Sequence, residues 1–256
     1  MRIHAPAKVN VFLKITGVRG NYHELRSRFV RVDSLCDTLT FTRKQTLSDG
    51  FEMVSSTPLP PDNTITRAYE LLRGVKPEIE KFFKVHKLIL TKKIPQGAGL
   101  GGGSSDAAAF LNFCNEACGL RMSPKALATI GEKIGADVPF FVYGYPSANV
   151  EGIGEFITPF DEEPPALELR TPPVHCDTGL VYRAFRENFL ETVDKDAAKE
   201  WLHLPTRTLM QSLDPLEAND LFRAALTVYP SLRRLAGPHC FFSGSGSTFF
   251  TLVKKS

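Results

Sequence analysis

The feature that most limits how this chain can fold is a run of glycines between a predicted strand and a predicted helix. Five of the seven residues from Gly97 to Gly103 are glycine. Residues 85–94 before them have the apolar pattern of a strand, and residues 107–117 after them are rich in helix-forming alanine. Each glycine adds conformational entropy to the unfolded chain, so this density indicates a backbone that must approach another group closely.

A phosphate is the group that best fits this glycine loop (residues 95–105). The N–H groups in the first turn of a helix lack partners, and the peptide dipoles place roughly half a positive charge there. Ser104 and Ser105 add hydroxyl donors. The loop matches G-x-G-x-x-G, but the second strand and the acidic residue of a dinucleotide-binding site do not follow it. The phosphate-loop motif G-x-x-x-x-G-K-[ST] is also excluded, because no lysine follows the last glycine. An ordinary flexible turn is the simpler alternative, which the glycine density disfavours.

The composition is that of a folded globular protein and excludes several classes. The chain has 256 residues, 43% hydrophobic and 23% charged, so it can bury a core and is not disordered. Its formal charge of +3 is too small for a protein that coats nucleic acid. Five scattered cysteines indicate a reducing compartment. No segment resembles a signal peptide or a membrane span, so we expect a cytoplasmic protein without a membrane or nucleic-acid partner.

The predicted elements are typical of an α+β protein with two domains. Predicted strands cover 9–15, 28–42, 85–94 and 240–253, and predicted helices cover 64–73, 107–117, 178–190, 194–202 and 215–236, with another beginning at Ser123-Pro124. Prolines and acidic residues cluster at 158–173. This cluster predicts a boundary between an N-terminal domain, 1–155, and a C-terminal domain, 156–256.

Two charged residues far apart in the chain are candidates for proton transfer. Lys8 follows Pro6, and Asp137 precedes Pro139, so proline restricts the backbone beside both. If the two meet near the glycine loop, Lys8 would keep Asp137 ionised, and Asp137 could accept the proton of an attacking hydroxyl. From spacing alone, a turn or capping carboxylate at Asp137 and a solvated surface amine at Lys8 are the simpler interpretations.

Three motifs in order resemble one kinase superfamily. They are Pro6-Ala7-Lys8-Val9-Asn10-Val11-Phe12-Leu13, the glycine loop, and Ser243-Gly244-Ser245-Gly246-Ser247-Thr248. Together they resemble the galactokinase, homoserine kinase, mevalonate kinase and phosphomevalonate kinase superfamily. Asn10, Tyr22-His23 and Gly135-Ala136-Asp137-Val138-Pro139 resemble the branch that phosphorylates a cytidine diphosphate-linked methylerythritol in non-mevalonate isoprenoid biosynthesis. Members usually read Asp-Gly before Tyr-His, where this chain has Gly20-Asn21.

The resemblance implies an ATP-dependent phosphotransferase that acts on the 2-hydroxyl of that acceptor, with Mg²⁺. It implies Lys8 and Asp137 as catalytic residues, and Asn10, Tyr22, His23, Thr178 and Tyr182 as substrate-binding residues. The implied ATP-binding residues are Asn63, Pro95, Gln96, Gly97, Ala98, Gly99, Leu100, Gly101, Gly102, Gly103, Ser104 and Ser105. The implied fold has a cleft between a mixed-sheet N-terminal domain of the ribosomal protein S5-like type and a ferredoxin-like C-terminal domain.

Other functions remain open at the level of sequence. A different sugar or small-alcohol kinase of the superfamily would bind ATP alike but ignore cytidine. A non-catalytic nucleotide-binding regulator would keep the fold, although the retention of Lys8 and Asp137 disfavours it. An RNA-binding module is suggested by Arg19, Arg26, Arg28 and Arg31, but the small net charge disfavours it. Ser105 could contribute a hydroxyl to a metal ion.

Overall fold

The computed structural model describes residues 1–253, which form a mixed α and β structure. The strands are β1 (Arg2–Arg19), β2 (Tyr22–Arg43), β3 (Met53–Ser55), β4 (His86–Thr91), β5 (Ser147–Gly152), β6 (Phe156–Pro159), β7 (Leu167–Arg170), β8 (Phe241–Phe242) and β9 (Phe249–Leu252). The helices are α1 (Thr64–Val75), α2 (Ile79–Val85), α3 (Gly102–Ala117), α4 (Pro124–Glu132), α5 (Val138–Tyr143), α6 (Thr178–Asn188), α7 (Thr206–Ser212), α8 (Pro215–Ala218), α9 (Asp220–Val228) and α10 (Leu232–Leu235). The predicted α+β class is confirmed.

The chain divides into two compact units, each assembled from several stretches of sequence. The first contains residues 1–7, 33–94 and 101–144, and the second contains residues 8–32, 95–100 and those from 145 onward. β1 and β2 contribute residues to both units. The predicted boundary after residue 155 divides the chain into two domains of consecutive residues, whereas each compact unit combines several stretches. The domain boundary stays a prediction.

The first unit places helices on a small sheet around an aromatic core. The second half of β2 pairs antiparallel with β4, and β3 runs parallel to β4. Phe41 of β2 stacks on Phe113 of α3 with ring centres 3.7 Å apart, and Phe83 stacks on Phe110 at 5.6 Å. Burial of each such ring contributes roughly 1.5–3 kcal/mol. This core fixes the position of α3, whose first turn carries the end of the glycine loop.

The second unit contains two groups of strands and a separate apolar core. The first half of β2 pairs antiparallel with β5, which pairs with β6, while β9 lies between β7 and β8. α6 and α9 pack together over a core that includes Val181, Phe185 and Phe222. Phe222 stacks on Phe242 of β8 at 4.5 Å. The core thereby anchors the turn that joins β8 to β9, which is the third motif.

Some predicted elements have different bounds in the structure. α1 begins after Asn63 as predicted, but α3 starts at Gly102, before the alanine-rich segment that predicted it. The predicted helix over 194–202 is wrong: turns lead into a 3-10 turn at Glu200–His203. Arg26 donates to the carbonyls of Lys195 and Ala197, so side chains bind backbone groups that a helix would have paired internally.

Two further expectations bear on the environment of the protein. None of the five cysteines is joined to another by a disulfide bond among residues 1–253. Among residues 1–253, every helix is too short or too polar to span a membrane.

Candidate functional site

The glycine loop adopts a backbone that turns its carbonyl oxygens toward protein donors. Gly97, Gly99 and Gly101 have φ values of +64°, +72° and +68°, a region that side chains disfavour. The carbonyl oxygens of residues 97–100 each accept one hydrogen bond, at 2.8–3.1 Å. The donors, in the order of these residues, are Cys176 N, Thr248 N, Ser243 Oγ and Lys8 N. A carbonyl oxygen repels an anion, so this arrangement leaves the N–H side of the backbone suited to one.

One hydroxyl joins the three motifs within the second unit. Ser243 Oγ donates to Gly99 O at 2.8 Å and accepts from the backbone N–H of Asn10 at 3.3 Å. An ideal Cβ placed on Gly99 would lie 2.0 Å from Ser243 O. The third motif and the glycine loop therefore approach too closely for any side chain at position 99.

The start of α3 carries a buried hydroxyl without a hydrogen-bond partner. Gly101 caps the helix in the left-handed conformation, and Ser105 N donates to Gly101 O. Ser105 is 1% exposed, and its Oγ has no partner among residues 1–253. An unpaired buried polar group costs roughly 1–3 kcal/mol, so a ligand oxygen or ion at this position would satisfy it. Ser104 Oγ lies near Gly135, where an added Cβ would be 3.6 Å away.

Asp137 occupies the N-cap position of α5, yet its side chain makes no capping hydrogen bond to that helix. The interpretation of Asp137 as a capping carboxylate is therefore wrong. α5 packs against α3, and Gly135 brings the turn before Asp137 beside Ser104. Within the first unit, the turn before Asp137 thus lies beside the first turn of α3.

Lys8 is buried rather than solvated, so its interpretation as a surface amine is wrong. Lys8 is 3% exposed. Its Nζ donates a hydrogen bond to Asn10 Oδ1 and lies 4.5 Å from the centre of the Phe29 ring. Asn10 Nδ2 donates to Ser27 Oγ at 3.1 Å. Polar contacts therefore hold the two predicted site residues of β1 in a defined orientation.

The predicted cytosine residues divide into two neighbouring rings, the buried His23 and the half-buried Tyr182, and an exposed tyrosine. His23 and Tyr182 lie with ring centres 5.2 Å apart, whereas Tyr22 is 66% exposed. His23 Nε2 is buried without a partner among the described residues, and burial, reinforced by Arg186, lowers the pKa of the imidazole. Thr178 does not cap α6, because Asp177 does; its Oγ1 instead contacts Ser245 Oγ at 2.9 Å.

Asn63 borders a cavity of about 580 Å³ in the first unit, formed by residues of the 51–61 segment together with Asn63 and Thr66. Its side chain is committed to α1. Oδ1 accepts from the N–H groups of Ile65 and Thr66, and Nδ2 donates to Pro60 O and Thr66 Oγ1. Asn63 therefore shapes the rim of the cavity through the cap of α1.

Sequence reasoning missed two groups of buried polar residues. Asn219 Nδ2 donates to Phe242 O and Gly244 O at 2.8 and 2.9 Å, which holds the start of the third motif. The only sequence signal was a polar Asn-Asp pair inside a predicted helix. In the first unit, Lys92 contacts both Asp37 and Asp106. Burial outweighs the attraction of Lys92 and raises the pKa of Asp106 to about 7.

Comparisons with known proteins find relatives over nearly the whole chain. Residues 63–145 match the model of the GHMP kinases N terminal domain. The chain is 50% identical to the 4-diphosphocytidyl-2-C-methyl-D-erythritol kinase of Sulfurovum sp. (strain NBC37-1) over 97% of both chains. Identity to the same-named kinase of Sulfurimonas denitrificans is 45%, over 98% of this chain and 96% of that one. A crystal structure of 4-(cytidine 5′-diphospho)-2C-methyl-D-erythritol kinase matches with a TM-score of 0.77 and 32% identity, over 98% and 90% of the two chains.

Proposed function

Since the chain belongs to the 4-diphosphocytidyl-2-C-methyl-D-erythritol kinase family, we propose that it transfers the γ-phosphoryl group of ATP to the 2-hydroxyl of 4-diphosphocytidyl-2-C-methyl-D-erythritol. The observation that carries this proposal is the contact of Ser243 Oγ with Asn10 N and Gly99 O. Through it, the three motifs of the kinase resemblance meet at one hydroxyl. The protein is then an enzyme of non-mevalonate isoprenoid precursor biosynthesis.

The glycine loop binds the ATP phosphates in this proposal. Residues 95–105 offer backbone N–H groups and the N-terminus of a helix of 16 residues, and the carbonyls of residues 97–100 are already engaged by protein donors. The cavity bordered by Asn63 accommodates the adenine, since its volume of about 580 Å³ lies in the range of small-molecule sites. Because the Asn63 amide is used in capping, its contribution there is to shape the cavity wall.

Asp137 and Lys8 carry the chemistry. Asp137 accepts the proton of the attacking hydroxyl as the O–P bond to the acceptor forms and the bond to ADP breaks. The turn that precedes Asp137 supports this role, because Gly135 brings that turn beside Ser104 in the first turn of α3. Lys8 supplies a buried cation that stabilises the negative charge of the reacting groups, and its contacts with Asn10 and Phe29 support a fixed position.

Magnesium fits the oxygen donors at the start of α3. The buried, unpaired Ser105 Oγ is a hard ligand of the kind that Mg²⁺ prefers, and we propose that it contributes to holding the ion. No cluster of three or more His, Cys, Asp or Glu side chains suited to a metal occurs within residues 1–253. This composition fits an ion that takes its other ligands from phosphates and water. When bound, the ion supplies neutralisation of charge on the transferring group.

The acceptor is recognised through its cytosine. The unpaired, buried His23 Nε2 supports a hydrogen bond to the base, and the neighbouring Tyr182 ring supports stacking. Tyr22 is exposed and is proposed as a second aromatic face. In this proposal Thr178, whose Oγ1 contacts Ser245 Oγ, completes the pocket, and Asn10 contacts the hydroxyl-bearing end of the acceptor. The S5-like and ferredoxin-like assignments for residues 1–155 and 156–256 belong to the same proposal.

A kinase assay with ATP and the purified acceptor tests the function. The wild-type enzyme should consume ATP only with the acceptor, and cytidine diphosphate should inhibit by competition with it, whereas uridine diphosphate should not. Asp137→Asn should lower kcat at least a hundredfold with ATP affinity within threefold of wild type. The exposed Asp161→Asn is the matched control and should retain full turnover. Unchanged kcat in Asp137→Asn would refute the base assignment, and inactivity of the wild type would refute the function.

A further inference from the structure

A buried cluster of charged side chains joins the chain before the glycine loop to the helix after it. Lys92 Nζ donates to Asp106 Oδ2 at 2.7 Å and to Asp37 Oδ2. The three side chains are 6%, 3% and 0% exposed, respectively. Asp37 Oδ1 also accepts the backbone N–H groups of Lys93 and Ile94. All of these residues belong to the first unit.

The cluster lies where the two flanks of the loop approach each other. The segment from Lys92 to Ile94 immediately precedes Pro95, and Asp106 lies in the second turn of α3. An ideal Cβ on Gly102, the first residue of α3, would lie 2.9 Å from Ile94 Cγ2 and 3.4 Å from Lys92 Nζ. The close approach of Ile94 to the start of α3 therefore leaves room for no side chain at position 102.

Stability alone is a poor reason for such a cluster. One ammonium group faces two carboxyl groups, and Asp106 Oδ1 has no hydrogen-bond partner among the described residues. Buried ion clusters often contribute no more stability than well-packed apolar side chains, because removing charges from water is costly. The hydrogen bonds of the cluster instead fix the position of Lys92–Ile94 relative to α3.

We propose that Asp37, Lys92 and Asp106 are positioning residues that set the conformation of the glycine loop and thereby the affinity for the phosphates of ATP. This inference rests on the proposed function only in taking ATP as the ligand of the loop. Asp37 orients the backbone that enters the loop, Asp106 fixes the helix that leaves it, and Lys92 connects them. The cluster contributes to phosphate binding without touching the nucleotide.

Two substitutions with different effects on the cluster test this. Asp106→Leu removes the bond to Lys92 but keeps the balanced Lys92–Asp37 pair, so the protein should fold. Asp106→Asn retains an oxygen that accepts from Lys92. We expect Asp106→Leu to raise the Kd for a non-hydrolysable ATP analogue at least tenfold, with the Kd for adenosine changed less than twofold. Asp106→Asn should stay within threefold of wild type for both ligands.

Lys92→Met combined with Asp106→Leu, which leaves no second buried carboxylate beside Asp37, should reproduce the Asp106→Leu result, with the exposed neighbour Lys93→Met as the control for the lysine substitution. Calorimetry with the ATP analogue measures affinity in the absence of the acceptor, so the result is independent of which alcohol is phosphorylated. Equal losses for the ATP analogue and adenosine would overturn the proposal, as would wild-type affinity in folded Asp106→Leu. Wild-type protein that binds the analogue but does not phosphorylate the acceptor would refute the proposed function and leave the cluster intact.

Discussion

Alanine at position 99 measures how tightly the glycine loop is held against the third motif. Gly99 has a φ of +72°, which costs an L-residue roughly 1–2 kcal/mol. The added Cβ would also lie 2.0 Å from Ser243 O and 3.1 Å from Gly246 N, which are backbone atoms that cannot rotate away. Such overpacking typically adds about 1–3 kcal/mol. We therefore expect Gly99→Ala to lower the free energy of unfolding by about 2–5 kcal/mol.

A matched substitution separates the two contributions. Gly119 follows α3 with a φ of +61°, but an added Cβ would meet no atom of residues 1–253 within 4 Å. Gly119→Ala should therefore lose only the backbone contribution, about 1–2 kcal/mol. Urea unfolding of both variants measures the difference, and steady-state kinetics should give at least a tenfold higher KM for ATP in Gly99→Ala alone. Equal stability losses and equal KM values would refute the close approach of Gly99 to Ser243.

Two further predictions concern buried polar side chains of the second unit. Burial lowers the pKa of His23, so the unfolded chain takes up a proton on this side chain at a higher pH than the folded chain does. The folded state therefore loses stability as the pH falls below about 6.5. His23→Gln should remove this part of the pH dependence of Tm between about pH 7.5 and 5. Parallel Tm profiles would contradict it. Asn219→Asp replaces the donor to two buried carbonyls by a carboxylate and should lower stability by at least about 2 kcal/mol, whereas the exposed Asn21→Asp should be neutral. A Tm for Asn219→Asp equal to that of Asn21→Asp would show that those two bonds contribute nothing.

Local pattern was a reliable guide wherever structure depends on neighbours in the chain. The cap at Asn63, the helix that follows, and the strand–glycine–helix order around residue 99 all appear in the structure, because capping, periodicity and glycine conformations act over a few residues. The helix predicted over 194–202 failed for the opposite reason. Its backbone carbonyls are bound by Arg26, which lies about 170 residues away in the sequence.

The motifs of the sequence by themselves determined the family, the α+β class and the residue types able to bind a nucleotide. Only the tertiary structure decided that Lys8 is buried, that Asp137 does not cap α5, and that Ser243 joins Asn10 to Gly99. The same holds for Asn219 and for the Asp37, Lys92 and Asp106 cluster, which no motif singled out. Burial and long-range hydrogen bonds depend on segments that are distant in sequence, so their energies become visible only when the chain has folded.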